Sequence, residues 1–560
     1  MFHHSASTSL LSILFDREPR FGEPGHRRNQ AVCLGMRHTP SILISLIVLF
    51  LTTPLLMGGE LRARTAPTDD VVESVWVSFR MMLPEPDDTG DTKGLGLVLI
   101  DPDRGALGED FAWDEPNTDH SIAIGFDVHN PAPDKSADED GRVMGWFDAD
   151  GNWYDRPQRE VSVHANGRER MNVRSDYEFR RGEWVDVDVH VRYVLGGAQI
   201  MVLLDGHTII DQPIWDVRPM RLHAMVGSEG PGIEVEDLAI TRVTTLDAPM
   251  PEPVTLTAFD EALLVNAATL RNEVDFSSVP DSVGRVIATL TLGEPEMGYD
   301  HWDKKGTVAI RVPTGGVDDE GKPVTERFEV FRYITPFRRG WTWHMDVTDL
   351  LPLFEGTREM ETHIGTYMKG WLVSFKLDFY PGTPERQPIA VMNLWNGEAE
   401  IGNPENPTEA FYVPREIAVP EGATSARVRA TVTGHGMHPN SNNAGEFMPI
   451  WRTLTISSTN SSGGGDVLAG DFISMSARNH LWKTDCYLNP CRPQGGTWKF
   501  DRSGWAPGDK VEAWVVDTQP EFVLGDTLRI EYELDPYLNA GRGETWAPHH
   551  WTDAVVVFYK

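Results

Sequence analysis

The sequence predicts an all-β protein built from sandwiches. Three observations carry that expectation: apolar and polar residues alternate at period two in segment after segment, helical periodicity is scarce, and short strand-like runs recur between Gly, Pro and Asp clusters. The 51 Gly and 39 Pro supply turns for many such strands, and 560 residues exceed what a single core organises. Two to four domains are expected.

Composition narrows the function. The formal net charge is −34, from 84 acidic against 50 basic residues. A surface this acidic repels phosphate backbones, which argues against nucleic acid as a partner. Apolar residues make up 40% of the chain, enough for packed cores, so this is not an acidic disordered protein.

The first segments read as an address rather than as fold. Met36-Arg37-His38 and the apolar run from Ser41 to Met57 have the layout of a secretory signal peptide, too short to span a bilayer comfortably. Residues 1–35 then read as an over-extended gene start and 36–66 as the signal peptide. Met57-Gly58-Gly59 and Arg64-Thr65-Ala66 are both imperfect cleavage sites, so an uncleaved anchor is the alternative. The expected location is secreted, periplasmic or at the cell surface. Cys33 lies in the leader, leaving Cys486 and Cys491 to form a disulfide across a short loop in an oxidising compartment.

Residues 71–247 are expected to form the first sandwich. Val75, Val77 and Phe79 alternate with Trp76, Ser78 and Arg80, and Val185, Val187, Val189 and Val191 alternate with Asp186, Asp188 and His190. Ile200 to Leu204 ends at Asp205-Gly206, a hairpin turn signal. The order of a Gly-Glu-Trp strand at 182–184, that hairpin, and Asp237-Leu238-Ala239-Ile240 resembles the concanavalin A-like (laminin-G-like) sandwich. The resemblance implies a module that binds glycans or supports a neighbouring enzyme. Asp138 to Gly141 and Asp148 to Asn152 offer hard oxygens for calcium but lack EF-hand spacing, and acidic turns suit an acidic protein.

Ala248 to Pro253 is a proline-stiffened linker. Beyond it the strand pattern resumes, with a seam near Gly382-Thr383-Pro384, dividing the remainder into 254–384 and 385–560. Ser457 to Asp466, rich in Ser and Gly, is expected to be a surface loop.

Within 254–384, Tyr299 to Gly306 packs two carboxylates, an imidazole, an indole and two ammonium groups between strand-like runs. Alone, it reads as a solvated turn. It heads an ordered series, however. Arg332-Tyr333-Ile334-Thr335-Pro336 and Met345 to Asp349 follow, then Thr433-Gly434-His435-Gly436 and Ala444-Gly445-Glu446-Phe447. Thr484-Asp485-Cys486, Gln494 to Trp498, and Asp501-Arg502-Ser503-Gly504-Trp505 complete it. This set resembles the peptide-N-glycosidase F family over roughly 255–560.

The resemblance implies two adjacent jelly rolls and hydrolysis of the amide between Asn and a glycan, with no organic cofactor. It carries Asp303 to the main catalytic aspartate, Arg502 to the arginine beside it and Glu446 to a second acid of the site. Trp302, Lys304, His435 and Phe447 become candidate substrate contacts. A carboxylate can activate water if a cation keeps it ionised while partly buried, and a fixed guanidinium suits both pairing and oxyanion stabilisation. His435 and His438 with His549 and His550 lack convincing metal-ligand spacing.

Departures are specific. Lys304 stands where the family has arginine, and no carboxylate falls near Thr366-Tyr367, the nearest being Glu361 upstream. Ala444, Met448 and Ala506 replace half-cystines. Asp300, His301 and Lys305 are expected at the surface. Expected partners are N-glycosylated proteins or glycopeptides, with other glycans possible at the first module. The alternative is a glycan-binding protein that has lost catalysis.

Overall fold

A computed structural model describes residues 59–85, 92–108, 111–128, 160–436, 445–459, 473–492, 500–538 and 547–560, with short pieces at 146–147, 153–154, 494–495 and 497–498. Residues 1–58 of the leader, both candidate calcium loops, His438 and the Ser/Gly-rich segment 460–466 lie outside the described residues.

The architecture is all-β, as the period-two patterning predicts. The first sandwich pairs a six-stranded sheet with a five-stranded one. In the five-stranded sheet, Val72–Met82 lies antiparallel to Trp184–Val194, with Val75 opposite Val191, Val77 opposite Val189 and Phe79 opposite Val187. All six side chains are buried in one core, which is why both strands alternate. The Asp205-Gly206 signal forms a two-residue hairpin with φ of 46° and 78°, the type I′ geometry that follows strand twist. One boundary moves: Glu60–Arg64 pairs with His223–Glu229, so this sheet begins ahead of residue 71.

Two further sandwiches follow, each of two four-stranded sheets. One uses strands from Val254–Val265 to Gly370–Pro381, the other from Pro388–Glu400 to His549–Tyr559. Their seam is continuous core. Val555, Val557 and Tyr559 pack into the apolar cluster of the middle sandwich. Polar groups lock the same seam: Asp349 accepts from Arg427 at 3.1 Å and from the Tyr559 hydroxyl at 2.7 Å.

Arg332 is the deepest of these locks. It is fully buried, donates to Glu329 at 2.9 Å, and reaches across to the Trp551 carbonyl at 2.8 Å and Thr433 at 3.2 Å. Burial pushes the nearby Asp553 carboxyl up to about 7, with Glu329 adding to the rise and Arg332 opposing it. Removing the guanidinium strands acidic groups in a dry seam. Arg332→Met should therefore cost about 3–5 kcal/mol, read as a lower urea midpoint; an unchanged midpoint would contradict this role.

Candidate active site

Asp303 lies on the loop between Val283–Gly293 and Lys305–Val317, in the middle sandwich. The loop is pinned on both sides of it. Upstream, the Asp300 Oδ2 atom accepts the Thr366 hydroxyl and the backbone N–H groups of Tyr367, Met368 and Lys369, at 3.3, 3.0 and 3.1 Å. Its Oδ1 atom accepts the Trp302 N–H at 3.2 Å. Downstream, the Thr335 hydroxyl donates to the Trp302 carbonyl at 2.8 Å and accepts the Lys304 N–H at 2.8 Å. Asp303 thus sits between two hydrogen-bonded anchors.

Asp300 and Lys305 are corrections to the sequence reading. Asp300 is fully buried because its carboxylate replaces water for four donors of the 366–369 turn. Lys305 points into the seam against the Trp551 ring, where burial drives its ammonium down to about 6. A lone charged run hid both, since nothing local says which side chains turn inward.

Glu446 reaches the site from the third sandwich on a turn laid flat against Ser425–His435. Two glycines permit that approach. A Cβ on Gly434 would lie 1.9 Å from the Gly445 carbonyl oxygen, and one on Gly445 would lie 1.7 Å from that of His435. The Ser503 N–H then donates to the Glu446 carbonyl at 2.9 Å, joining this turn to the segment that carries Arg502.

Arg502 brings the parts together. It is fully buried, and its Nη1 atom lies 3.3 Å from Asp303 while also donating to Glu446. Its Nη2 atom donates to the Thr497 carbonyl and hydroxyl at 2.5 and 2.6 Å. The guanidinium carbon stands 4.4 Å from the Trp505 ring centre and 4.9 Å from that of Phe447. The two carboxylates are 17% and 18% exposed, so both reach solvent above a buried cationic floor.

The electrostatics raise both acids. Burial raises Asp303 above the usual carboxylate range, against the pull of Arg502 and Lys304. Burial also lifts Glu446, to about 7, with Arg502 opposing and the Asp303 charge adding to the rise. With both carboxyls raised and the Asp303 charge adding to the rise at Glu446, the pair disfavours double ionisation, an arrangement suited to base and acid work.

The remaining candidates divide. Trp302 is 39% exposed beside Asp303, and Lys304 lies 4.4 Å from the exposed Tyr367 ring. Phe447 meets the half-exposed Phe500 edge to face at 6.2 Å. These rings form an apolar rim. His435 stands apart from the carboxylates: it bonds Thr433 at 2.8 Å and stacks at 5.4 Å on Trp505, so Trp505 separates it from Arg502. The expected disulfide is absent. Cys486 and Cys491 are free buried thiols, with the Cys486 sulfur turned toward the Lys483 and Trp505 carbonyls. Glu361 pairs with Arg327 and Arg311 at 2.6 and 3.2 Å, so it braces a sheet. Among the described residues no group of His, Cys, Asp and Glu could hold a metal ion.

Sequence reasoning did not assign roles to Thr335, Thr366 and Thr497, although all three fall within or beside the quoted motifs. Their signal is a hydroxyl in a turn, which many surface residues share.

A titration checks these shifts. Carboxyl NMR should show Glu446 titrating near 7, and Arg502→Met should move it higher by removing the cation that stabilises its anion. A lower value in that variant would contradict the geometry.

Two of the three site residues lie where the chain matches a known family model. Residues 406–536, which include Glu446 and Arg502, match the family model of the peptide-N-glycosidase F C-terminal part. Peptide-N(4)-(N-acetyl-beta-D-glucosaminyl)asparagine amidase F of Elizabethkingia miricola is 27% identical over 259 residues, which are 44% of this chain and 66% of that protein. The chain thus spans 66% of the length of that curated relative. Among solved structures, PNGase F from Flavobacterium meningosepticum is 21% identical over 55% of this chain and 96% of its own, with a TM-score of 0.44. PNGF-II is 14% identical over 87% of this chain and 99% of its own, with a TM-score of 0.41. By the family match and the curated relative, the chain is similar to peptide-N-glycosidase F over part of its length.

Proposed function

We propose that this protein is a peptide-N-glycosidase that hydrolyses the amide joining Asn to N-acetylglucosamine in N-glycoproteins or glycopeptides. The observation that carries the proposal is Arg502 Nη1 lying between Asp303 and Glu446. In the reaction, ionised Asp303 takes a proton from water as its oxygen bonds to the amide carbon. Arg502 balances the charge that develops on the carbonyl oxygen. Protonated Glu446 supplies a proton to the nitrogen as the C–N bond breaks, releasing a glycosylamine and leaving Asp. The rim of Trp302, Tyr367, Phe447 and Phe500 offers ring faces to sugars.

One observation favours the alternative of glycan binding without hydrolysis. The carboxylate beside the 366–369 turn belongs to Asp300, and its Oδ2 is occupied by that turn's own donors. A third acid free to meet substrate is not found there. Mass spectrometry of an N-glycopeptide separates the readings: glycan loss with Asn converted to Asp supports hydrolysis, and a bound but unchanged peptide supports the lectin alternative. Export is proposed from the pattern of residues 36–57 and is checked by sequencing the N-terminus of the exported protein.

Two outcomes follow from the assigned roles. Asp303→Asn should lower the rate by about two to four orders of magnitude while the protein keeps its folded β spectrum in circular dichroism. Full release by that variant would refute the role of Asp303. The rate should also decline on the alkaline side as Glu446 loses its proton near 7, and on the acid side as Asp303 gains one above the usual carboxylate range. Because the two interact, these limbs belong to the pair. Glu446→Gln should remove the alkaline limb; its persistence near 7 would assign that limb elsewhere.

A further inference from the structure

The segment that carries Arg502 is a closed loop. Trp482–Lys483 pairs with Arg502–Ser503, Lys483 opposite Arg502, so residues 484–501 leave and return at one place. Arg502 sits at the root of this loop and donates to Thr497 within it. The two thiols of the loop are free, so no disulfide fastens it.

The first sandwich fastens one side of it. Arg492 lies 2.5 Å from Glu115, 3.1 Å from Glu160 and 3.6 Å from Glu169. Glu160 and Glu169 come from Glu160–Ala165 and the edge strand Arg168–Arg174 of the six-stranded sheet. Arg174, at the end of that strand, lies 3.3 Å from Asp485 at the start of the loop. On the other side, Gln494 donates to the Pro507 carbonyl at 2.8 Å and accepts the Phe337 N–H at 3.2 Å. Thr497 is therefore three residues beyond a doubly tied glutamine and five beyond the ion-paired arginine.

We propose that Arg492 is a positioning residue for the hydrolysis: its ion pairs with Glu115 and Glu160, and its contact with Glu169, of the first sandwich hold the 484–501 loop so that Thr497 fixes Arg502 between Asp303 and Glu446. The inference rests on the amidase reading above. Arginine suits the task because its planar fork binds several carboxylate oxygens at once with a permanent charge. Glu160 is 3% and Glu169 9% exposed, while Arg492 at 20% and Glu115 at 31% reach solvent, so the clamp is buried on its Glu160 side and open on its Glu115 side. An uncharged residue at 492 leaves these acids without their cation, and the loop loses its hold on the sandwich. The first sandwich is then a working part of the site, whatever glycans it also binds.

Kinetics of the full chain on an N-glycopeptide, with amide exchange across residues 497–503, test the clamp. In Arg492→Ala, kcat should fall about ten- to a hundred-fold while KM stays within about two-fold, because guanidinium aim matters most in the transition state. Exchange at 497–503 should quicken. Arg492→Lys should recover part of kcat, and Glu115→Gln, at the most exposed of the three acids, should give a smaller loss if the alanine variant fails to fold. Wild-type kcat with unchanged exchange in Arg492→Ala, or in Glu115→Gln where the alanine variant does not fold, would overturn the proposal. If the unaltered protein releases no glycan, the amidase reading fails, and the exchange comparison alone still decides whether Arg492 holds the loop.

Discussion

One buried guanidinium organises the site. Arg502 has no exposure, touches carboxylates from two different sandwiches and is itself held by a carbonyl and a hydroxyl of Thr497. A charge in that position is stable only while its partners stay in place, so the surrounding structure must be rigid on every side. The anchors around it meet that demand: Asp300 and Thr335 hold the Asp303 loop, and close glycine contacts seat the Glu446 turn.

The same logic extends through the seam between the middle and third sandwiches. Arg332, Asp349 and the side chains of His549–Tyr559 join the two cores, so Asp303 on one side and Glu446 with Arg502 on the other face each other across a fixed gap. A site split between two sandwiches depends on their packing as much as on its own residues. The contact of the 484–501 loop with the first sandwich adds a third body to that dependence.

How much was legible in the sequence varies with the kind of signal. Alternation of Val75, Val77 and Phe79, and the Asp205-Gly206 turn, are local rules, and both gave the right structure. Asp303, Glu446 and Arg502 were legible only as members of an ordered motif set, since each alone resembles a surface charge. Asp300 and Lys305 were misjudged because burial of a charge is decided by distant partners, here the 366–369 turn and Trp551. The expected Cys486–Cys491 bond failed for a related reason: short spacing does not aim two sulfurs at each other, and the Cys486 sulfur faces backbone carbonyls instead. The arginine clamp joins residues far apart in the chain, and no local pattern announces it.

The most direct test of the central claim is hydrolysis of an N-glycopeptide in water carrying heavy oxygen. Attack of an activated water on the amide carbon predicts one heavy oxygen in the new Asp carboxylate and glycan released as the intact glycosylamine. Retention of N-acetylglucosamine on an unchanged Asn, or no cleavage at all, would contradict the account.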